Sequence, residues 1–262
     1  MKLRKVLYAV IMMIGILLLP EQSNSQNLEV VGQAKITVMP TDNTADQIVV
    51  KQADGTLAVR AASTLSQSPG NYGTVVNPVT GKVWLDRNLG ATQVATSSTD
   101  FASYGDLYQW GRNADGHQVR ISGTTATLAS NYFTTGGLFI TTSSSPFNWL
   151  SAVETHMWSG TAAENNPCPS GFRIPTAAEW EQERLTWTTN NAAGAFASPL
   201  KLPLAGYRVN STGSLLGVGS SGGYWSSTVS GANARNLRFA SSSAGVLAGV
   251  RAFGLSVRCL KD

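Results

Sequence analysis

The chain has 262 residues, of which 13% are charged against about 25% in an average soluble protein, and it carries 26 glycines and seven tryptophans. Its hydrophobic fraction of 42% excludes intrinsic disorder, which requires low hydrophobicity together with high charge. The formal net charge of +4 falls to +2 once residues 1–25 are set aside, and no Lys/Arg cluster remains; this argues against a nucleic-acid protein, which needs a concentrated basic face to displace counterions from phosphates.

Lys2, Arg4 and Lys5 precede the apolar run Val6–Leu19, which Pro20 ends. That run is shorter than the roughly 20 apolar residues a spanning helix needs. With the small residues Ser23, Asn24 and Ser25 behind it, the segment reads as a signal peptide over 1–25, cleaved before Gln26, with an uncleaved anchor as the alternative. The mature protein is then expected to be secreted, periplasmic or at the cell surface, without membrane insertion after cleavage. No cysteine follows the run to accept a lipid. Residues 26–60 form a small β segment: 28–39 and 48–60 are rich in β-branched residues, and Asp54-Gly55 suits a type I′ hairpin turn. This segment is also where an oligomer could form. Residues 61–73, with Pro69-Gly70, read as a linker, leaving 74–262 as the main domain.

Within that domain, 74–86 predicts two strands around a Pro and Gly turn, and Asp100–Trp110 a short helix. A second helix is expected over Pro175–Trp187, where Thr176 and Glu179 make a capping box and Trp180 and Leu185 supply an apolar face. Short strands separated by Gly and Ser follow. Alternation over 236–241 points Asn236 and Arg238 outward and Leu237 and Phe239 inward; alternation over 255–259 puts Leu255, Val257 and Cys259 on the core side, with Ser256 and Arg258 opposite. Cys168 and Cys259 are the two cysteines of the chain, and in an oxidising compartment they predict one disulfide. A loop of that length is worth roughly 4 to 5 kcal/mol in the chain-entropy model.

The stretches FRIPTAAEWE (172–181), LPLAGYR (202–208), GGYWSST (222–228) and SVRCLKD (256–262) are distinctive, as are WLDRNLGAT (84–92), YGDLYQWGR (104–112) and NPCPSG (166–171). Together they resemble the Fibrobacter succinogenes major paralogous domain, common in secreted proteins of Bacteroidetes, over about residues 71–262. The resemblance implies an α+β, C-type-lectin-like fold with a twisted antiparallel sheet, short helices and long irregular loops, shared with formylglycine-generating enzymes. FRIPTAAEWE is similar to the R-L-P-T-E-A-E-W-E stretch of those enzymes. They oxidise a substrate thiol with two cysteines close together near the C-terminus, whereas here Cys259 has its nearest cysteine 91 positions away. That chemistry is therefore not expected, and no catalytic residue is assigned.

The imidazoles are His117 and His156, and neither lies in a motif that supplies a nucleophile and a carboxylate. Glu154 and His156, two apart, would share one face of a strand, but no third metal ligand is identifiable and no metal site is assigned. Asp106 and Asp115 could contribute to a structural Ca²⁺, which wants six to eight oxygens; no other cofactor is expected. Binding gathers more residues: Tyr224, Trp225, Asn233, Arg235, Asn236 and Arg238 combine rigid aromatics with planar donors and could form a contact patch, the alternative being core filling for the aromatics and an ordinary solvated face for the others. The expected function is an exported, non-catalytic recognition or adhesion protein whose partner is a protein or glycan. The alternatives are a structural surface or fibre component, and an enzyme of unrecognised type on a formylglycine-generating-enzyme-like fold.

Overall fold

The computed structural model describes residues 47–51, 57–61, 72–133, 135–159 and 164–262. The expected leader, the strand over 28–39, the Asp54-Gly55 turn and residues 62–71 of the expected linker lie outside the described residues, and Ala61, expected to open the linker, ends a strand. Strand β1 (Gln47–Lys51) pairs antiparallel with β2 (Leu57–Ala61), Gln47 facing Ala61 and Lys51 facing Leu57, as the β-branched content of that segment predicts.

From residue 72 onward, short strands and short helices punctuate long irregular chain, the α+β class expected from the sequence. In chain order the strands are β3 (Thr74–Val76), β4 (Val83–Leu85), β5 (Tyr108–Gln109), β6 (Thr124–Thr125), β7 (Phe139–Ile140) and β8 (Phe172–Arg173). Helices α1 (Ala177–Arg184) and α2 (Ala192–Ala197) come next, followed by β9 (Tyr207–Arg208), β10 (Leu215–Leu216), β11 (Ser221–Ser230), β12 (Asn233–Ala240), β13 (Ala244–Val250), β14 (Gly254–Leu255) and β15 (Leu260–Lys261). Strand β15 joins β4 and β8 in the sheet β3-β4-β15-β8, so the end of the chain closes onto the start of this region. Strand β14 likewise joins β9 and β5 in β10-β9-β14-β5. The longest strands form the antiparallel meander β11-β12-β13, which has a bulge between Trp225 and Val229.

The expected strand pair in 74–86 is β3 and β4. Helix α1 begins as predicted: the Thr176 hydroxyl accepts from the Glu179 N–H at 3.2 Å, and the Glu179 carboxylate accepts from the Thr176 N–H at 2.8 Å. Trp180 is fully buried and its indole N–H donates to the Trp225 carbonyl at 3.0 Å. Leu185, expected on the same apolar face, is instead 68% exposed, because it is the C-cap residue and the buried side of α1 runs through Glu179, Trp180 and Glu183. The helix expected over 100–110 shrinks to one 3-10 turn, Phe101–Ser103, capped by Asp100. Gly105 stops it with a φ of +65°, in a place where a Cβ would lie 2.2 Å from the Leu89 carbonyl oxygen, and the chain then extends into β5.

Two hydrophobic clusters fill the interior. One holds Trp110, Trp149, Trp225, Met157, Val257 and Cys259; the other holds Trp84, Trp180, Tyr224, Leu237, Phe239 and Leu260. Segment 255–259 alternates as expected, with Leu255, Val257 and Cys259 in the first cluster, yet Ser256 and Arg258 are buried as well. Its polar side meets more protein instead of solvent: the Ser256 N–H and C=O bond Gly223 and Trp225, and Arg258 donates to Leu85, Asn88 and Leu200. Cys168 and Cys259 form the predicted disulfide, with their Cα atoms 5.8 Å apart.

Candidate functional site on the C-terminal sheet

The register of the meander sorts its side chains, because directly opposed residues of an antiparallel pair point to the same face. Leu237 and Phe239 of β12 share a face with Tyr224 of β11 and pack toward Trp180 of α1. Asn236 and Arg238 share the other face with Trp225 and Gly223 of β11 and with Gly245, Leu247 and Gly249 of β13.

Part of the expected contact patch is interior. Tyr224 and Trp225 are both fully buried, because the sheet is covered on both faces at this point. The Tyr224 hydroxyl accepts from Asn88 at 3.1 Å and donates to the Pro203 carbonyl at 3.3 Å, and burial pushes its pKa up to about 12. Trp225 donates its indole N–H to the Tyr108 carbonyl at 2.7 Å. Asn236 is fully buried too, correcting the outward orientation that alternation gave it; a Cβ on Gly249 would lie 2.6 Å from its amide nitrogen, so the glycine opens the space in which the amide tucks over β13.

The remaining three residues reach the surface, in different places. Asn233 is half-buried at the start of β12, where its carbonyl accepts from Arg251. Arg235 is exposed and lines a groove of about 520 Å³ between β13 and α1, where Glu181 is already paired with Arg184. Arg238 is half-buried and lines a groove of about 410 Å³ on the opposite face, with Tyr207, Ser221, Gly223, Gly245 and Leu247. Its guanidinium carbon lies 5.3 Å from the Phe253 ring centre and 6.0 Å from that of Tyr207, and its Nε donates to the Asn236 side-chain Oδ1 at 2.8 Å. Among the described residues no carboxylate pairs with Arg238 or Arg235. Burial lowers the Arg238 pKa without threatening its charge, and the Asn236 amide nitrogen beside it is buried without a partner. Tyr207, which lines this groove, and Phe253, which packs on Arg238, escaped the sequence reading of the patch; Tyr207 lies in the distinctive LPLAGYR stretch, but nothing in the sequence says which face of the sheet it covers.

The histidines occupy other parts of the molecule. His117 is fully buried; its Nδ1 donates to Asp115 at 2.6 Å and its Nε2 accepts from the Gln109 backbone N–H at 3.0 Å. Both ring nitrogens are thus committed to structure. Asp115 also holds Arg112 at 2.6 Å and the Thr135 hydroxyl, which leaves it poorly placed to ligate Ca²⁺. His156 is half-exposed, with Glu154 3.6 Å from Nδ1 and Glu164 3.6 Å from Nε2. The third polar group that spacing could not supply is therefore Glu164, but the two carboxylates flank opposite ring nitrogens and do not converge on a point. Among the described residues no group of three or more His, Cys, Asp or Glu side chains is arranged to hold a metal ion. Nor is any described helix long and apolar enough to cross a membrane.

Comparison of the chain with protein-family models, with curated proteins and with solved structures gives no match.

Proposed function

We propose that this is an exported, non-catalytic recognition or adhesion protein, carrying a C-type-lectin-like domain of the Fibrobacter succinogenes major paralogous type, that binds a protein or glycan at the groove around Arg238. The observation behind this reading is a half-buried guanidinium that lines a groove beside the rings of Tyr207 and Phe253 and has no carboxylate paired with it among the described residues. A partly desolvated, unpaired cation is costly to keep in a fold. Placed in a groove, it recovers that cost when a ligand brings an acceptor, and its planar donors then add direction as well as charge. The aromatic walls supply apolar contact with few rotamers to freeze. Asn233 lies at the start of the same strand and Arg235 lines the groove on the other face of the sheet, while Tyr224, Trp225 and Asn236 support the strands from inside.

The test is a binding screen of the purified full chain against glycan and surface-protein panels, run with Arg238→Ala and Asn233→Ala. A ligand weakened at least about tenfold by Arg238→Ala is expected, the loss of one charge-assisted contact. The thermal midpoint of that variant should fall by several degrees while the chain stays folded, because the fold loses about 1 kcal/mol of cation–π attraction and roughly 1 to 3 kcal/mol from the buried Asn236 side-chain oxygen left without its donor. A ligand indifferent to Arg238→Ala would sink the reading.

A further inference from the structure

Strand β13, Ala244–Val250 with the sequence AGVLAGV, is an edge of the three-stranded sheet and carries neither charge nor proline. Edge strands are usually blunted by such residues, because their unpaired backbone groups are a template for another strand. The two-residue turn between β12 and β13 closes with Ala240 donating to Ser243. Counting from that pair in the β12–β13 register, Gly245, Leu247 and Gly249 turn their backbone groups toward β12, while Ala244, Val246, Ala248 and Val250 turn theirs outward. At the two ends these groups have partners: the Ala244 carbonyl accepts from the Asn190 side chain at 3.1 Å, and the Val250 carbonyl accepts from the Phe253 N–H at 3.2 Å. Between them, the outward N–H and C=O of Val246 and Ala248 meet no partner among the described residues.

Both grooves described above border the first half of this strand, one on each face, and share Ala244, Gly245 and Leu247 as lining. Each contains one guanidinium with no carboxylate partner among the described residues: Arg238 on one face and Arg235 on the other. Arg238 lies over the strand itself, since a Cβ on Gly249 would be 3.1 Å from its Nη2. At Gly245 there is open space above the backbone. A strand added alongside β13 would point alternate side chains into the two grooves.

We infer that β13 receives an extended acidic peptide segment of a partner protein by strand addition, with acidic side chains on its two faces meeting Arg238 and Arg235. The inference rests on the recognition reading above and names its partner. Backbone pairing with Val246 and Ala248 supplies the register, and the two arginines select acids at positions of opposite parity.

The probe is a fluorescein-labelled heptapeptide, Thr-Glu-Val-Thr-Asp-Val-Thr, whose two acids fall on opposite faces of an extended strand, titrated against the full chain by fluorescence anisotropy. Saturable binding is expected, weakened about tenfold by Arg238→Gln and by Arg235→Gln, and abolished by Ala248→Pro, which removes an outward N–H at a position where an edge strand tolerates proline. Should Ala248→Pro fail to fold, as judged by circular dichroism, amide exchange in the unaltered chain decides: slower exchange at Val246 and Ala248 with peptide present supports strand addition, and unchanged exchange overturns it. Absence of peptide binding, or equal binding by the Gln/Asn version of the peptide, overturns the inference. If a glycan or folded protein binds in an Arg238-dependent way while the peptide does not, the recognition reading stands and strand addition falls. A concentration-dependent dimer abolished by Ala248→Pro, without peptide binding, would assign the edge to a second copy and overturn the inference as well.

Discussion

Two carboxylate and imidazole environments give the stability of this protein opposite slopes with pH. His117 is buried as the neutral ring, and desolvation together with the nearby Arg112 charge lowers its pKa from 6.5 to about 4, against the pull of Asp115. An unfolded chain protonates this imidazole below about pH 6.5, whereas the folded chain does so only near pH 4, so stability falls as pH drops through that window. The loss should be on the order of 2 to 3 kcal/mol. A His117→Asn variant is expected to be less stable at pH 7.5 but to show a flatter dependence between pH 6.5 and 4 in urea titrations; an unchanged slope would refute this. Asp106 works the other way. Burial raises its pKa from 3.8 to about 6, so its ionised form strains the fold at neutral pH and protonation relieves it between pH 6 and 3.8. Asp106→Asn should therefore stabilise by about 1 kcal/mol at pH 7.5, after discounting for partial exposure, and by almost nothing at pH 4. Thermal melts at the two pH values test it, and destabilisation at pH 7.5 would mean that the carboxylate holds something in place. Neither environment was legible from the sequence, where Asp106 read as a calcium residue and His117 as an imidazole outside any motif. The partners that define them are up to 91 positions away, as Arg208 is from His117.

Among the elements, those with local rules were readable and those set by tertiary packing were not. Helix α1 announced itself through its capping box, and Thr176→Ala should lower stability by about 1 kcal/mol, since the Thr176 hydroxyl also meets the Glu179 carboxylate at 3.0 Å, while Arg173, Lys82 and the residue 176 N–H still hold that carboxylate. A loss below about 0.3 kcal/mol by urea titration would show the cap to be dispensable. The β3–β4 hairpin and the Cys168–Cys259 bridge also follow from local signals, a Pro and Gly turn in one case and the cysteine count in the other. The burial pattern of β12 was only half predictable. Alternation separates its two faces correctly, as Leu237 and Phe239 show, but it cannot say that the second face is covered too. A buried Asn236 and a half-buried Arg238 arise because β9 and the turn after β13 bring Tyr207 and Phe253 over a face that polar residues alone would have marked as solvent. The same ambiguity made Tyr224 and Trp225 look like contact residues.

At the scale of the molecule, long irregular segments leave many backbone carbonyls without strand or helix partners, and large side chains from elsewhere satisfy them. Arg208 donates to the carbonyls of Gly213 and Ser122, Arg258 to those of Leu85 and Leu200, and Arg251 to those of Gly231, Asn233 and Glu154. Indole N–H groups of Trp110, Trp149 and Trp180 do the same for Ser226, Trp110 and Trp225. Burial drives the pKa of each of these three arginines down to about 10, which still leaves them charged. Among the described residues several arginines therefore lie inside, a placement that a net charge cannot reveal. It also changes how the chain looks to a digestive enzyme. Trypsin needs an arginine side chain in its specificity pocket, and Arg112, Arg208, Arg251 and Arg258 are each at most 2% exposed. Native protein should be nicked at exposed positions such as Lys201 and Arg235 while the bonds after those four stay intact, and all four should open together once the loops around them unravel.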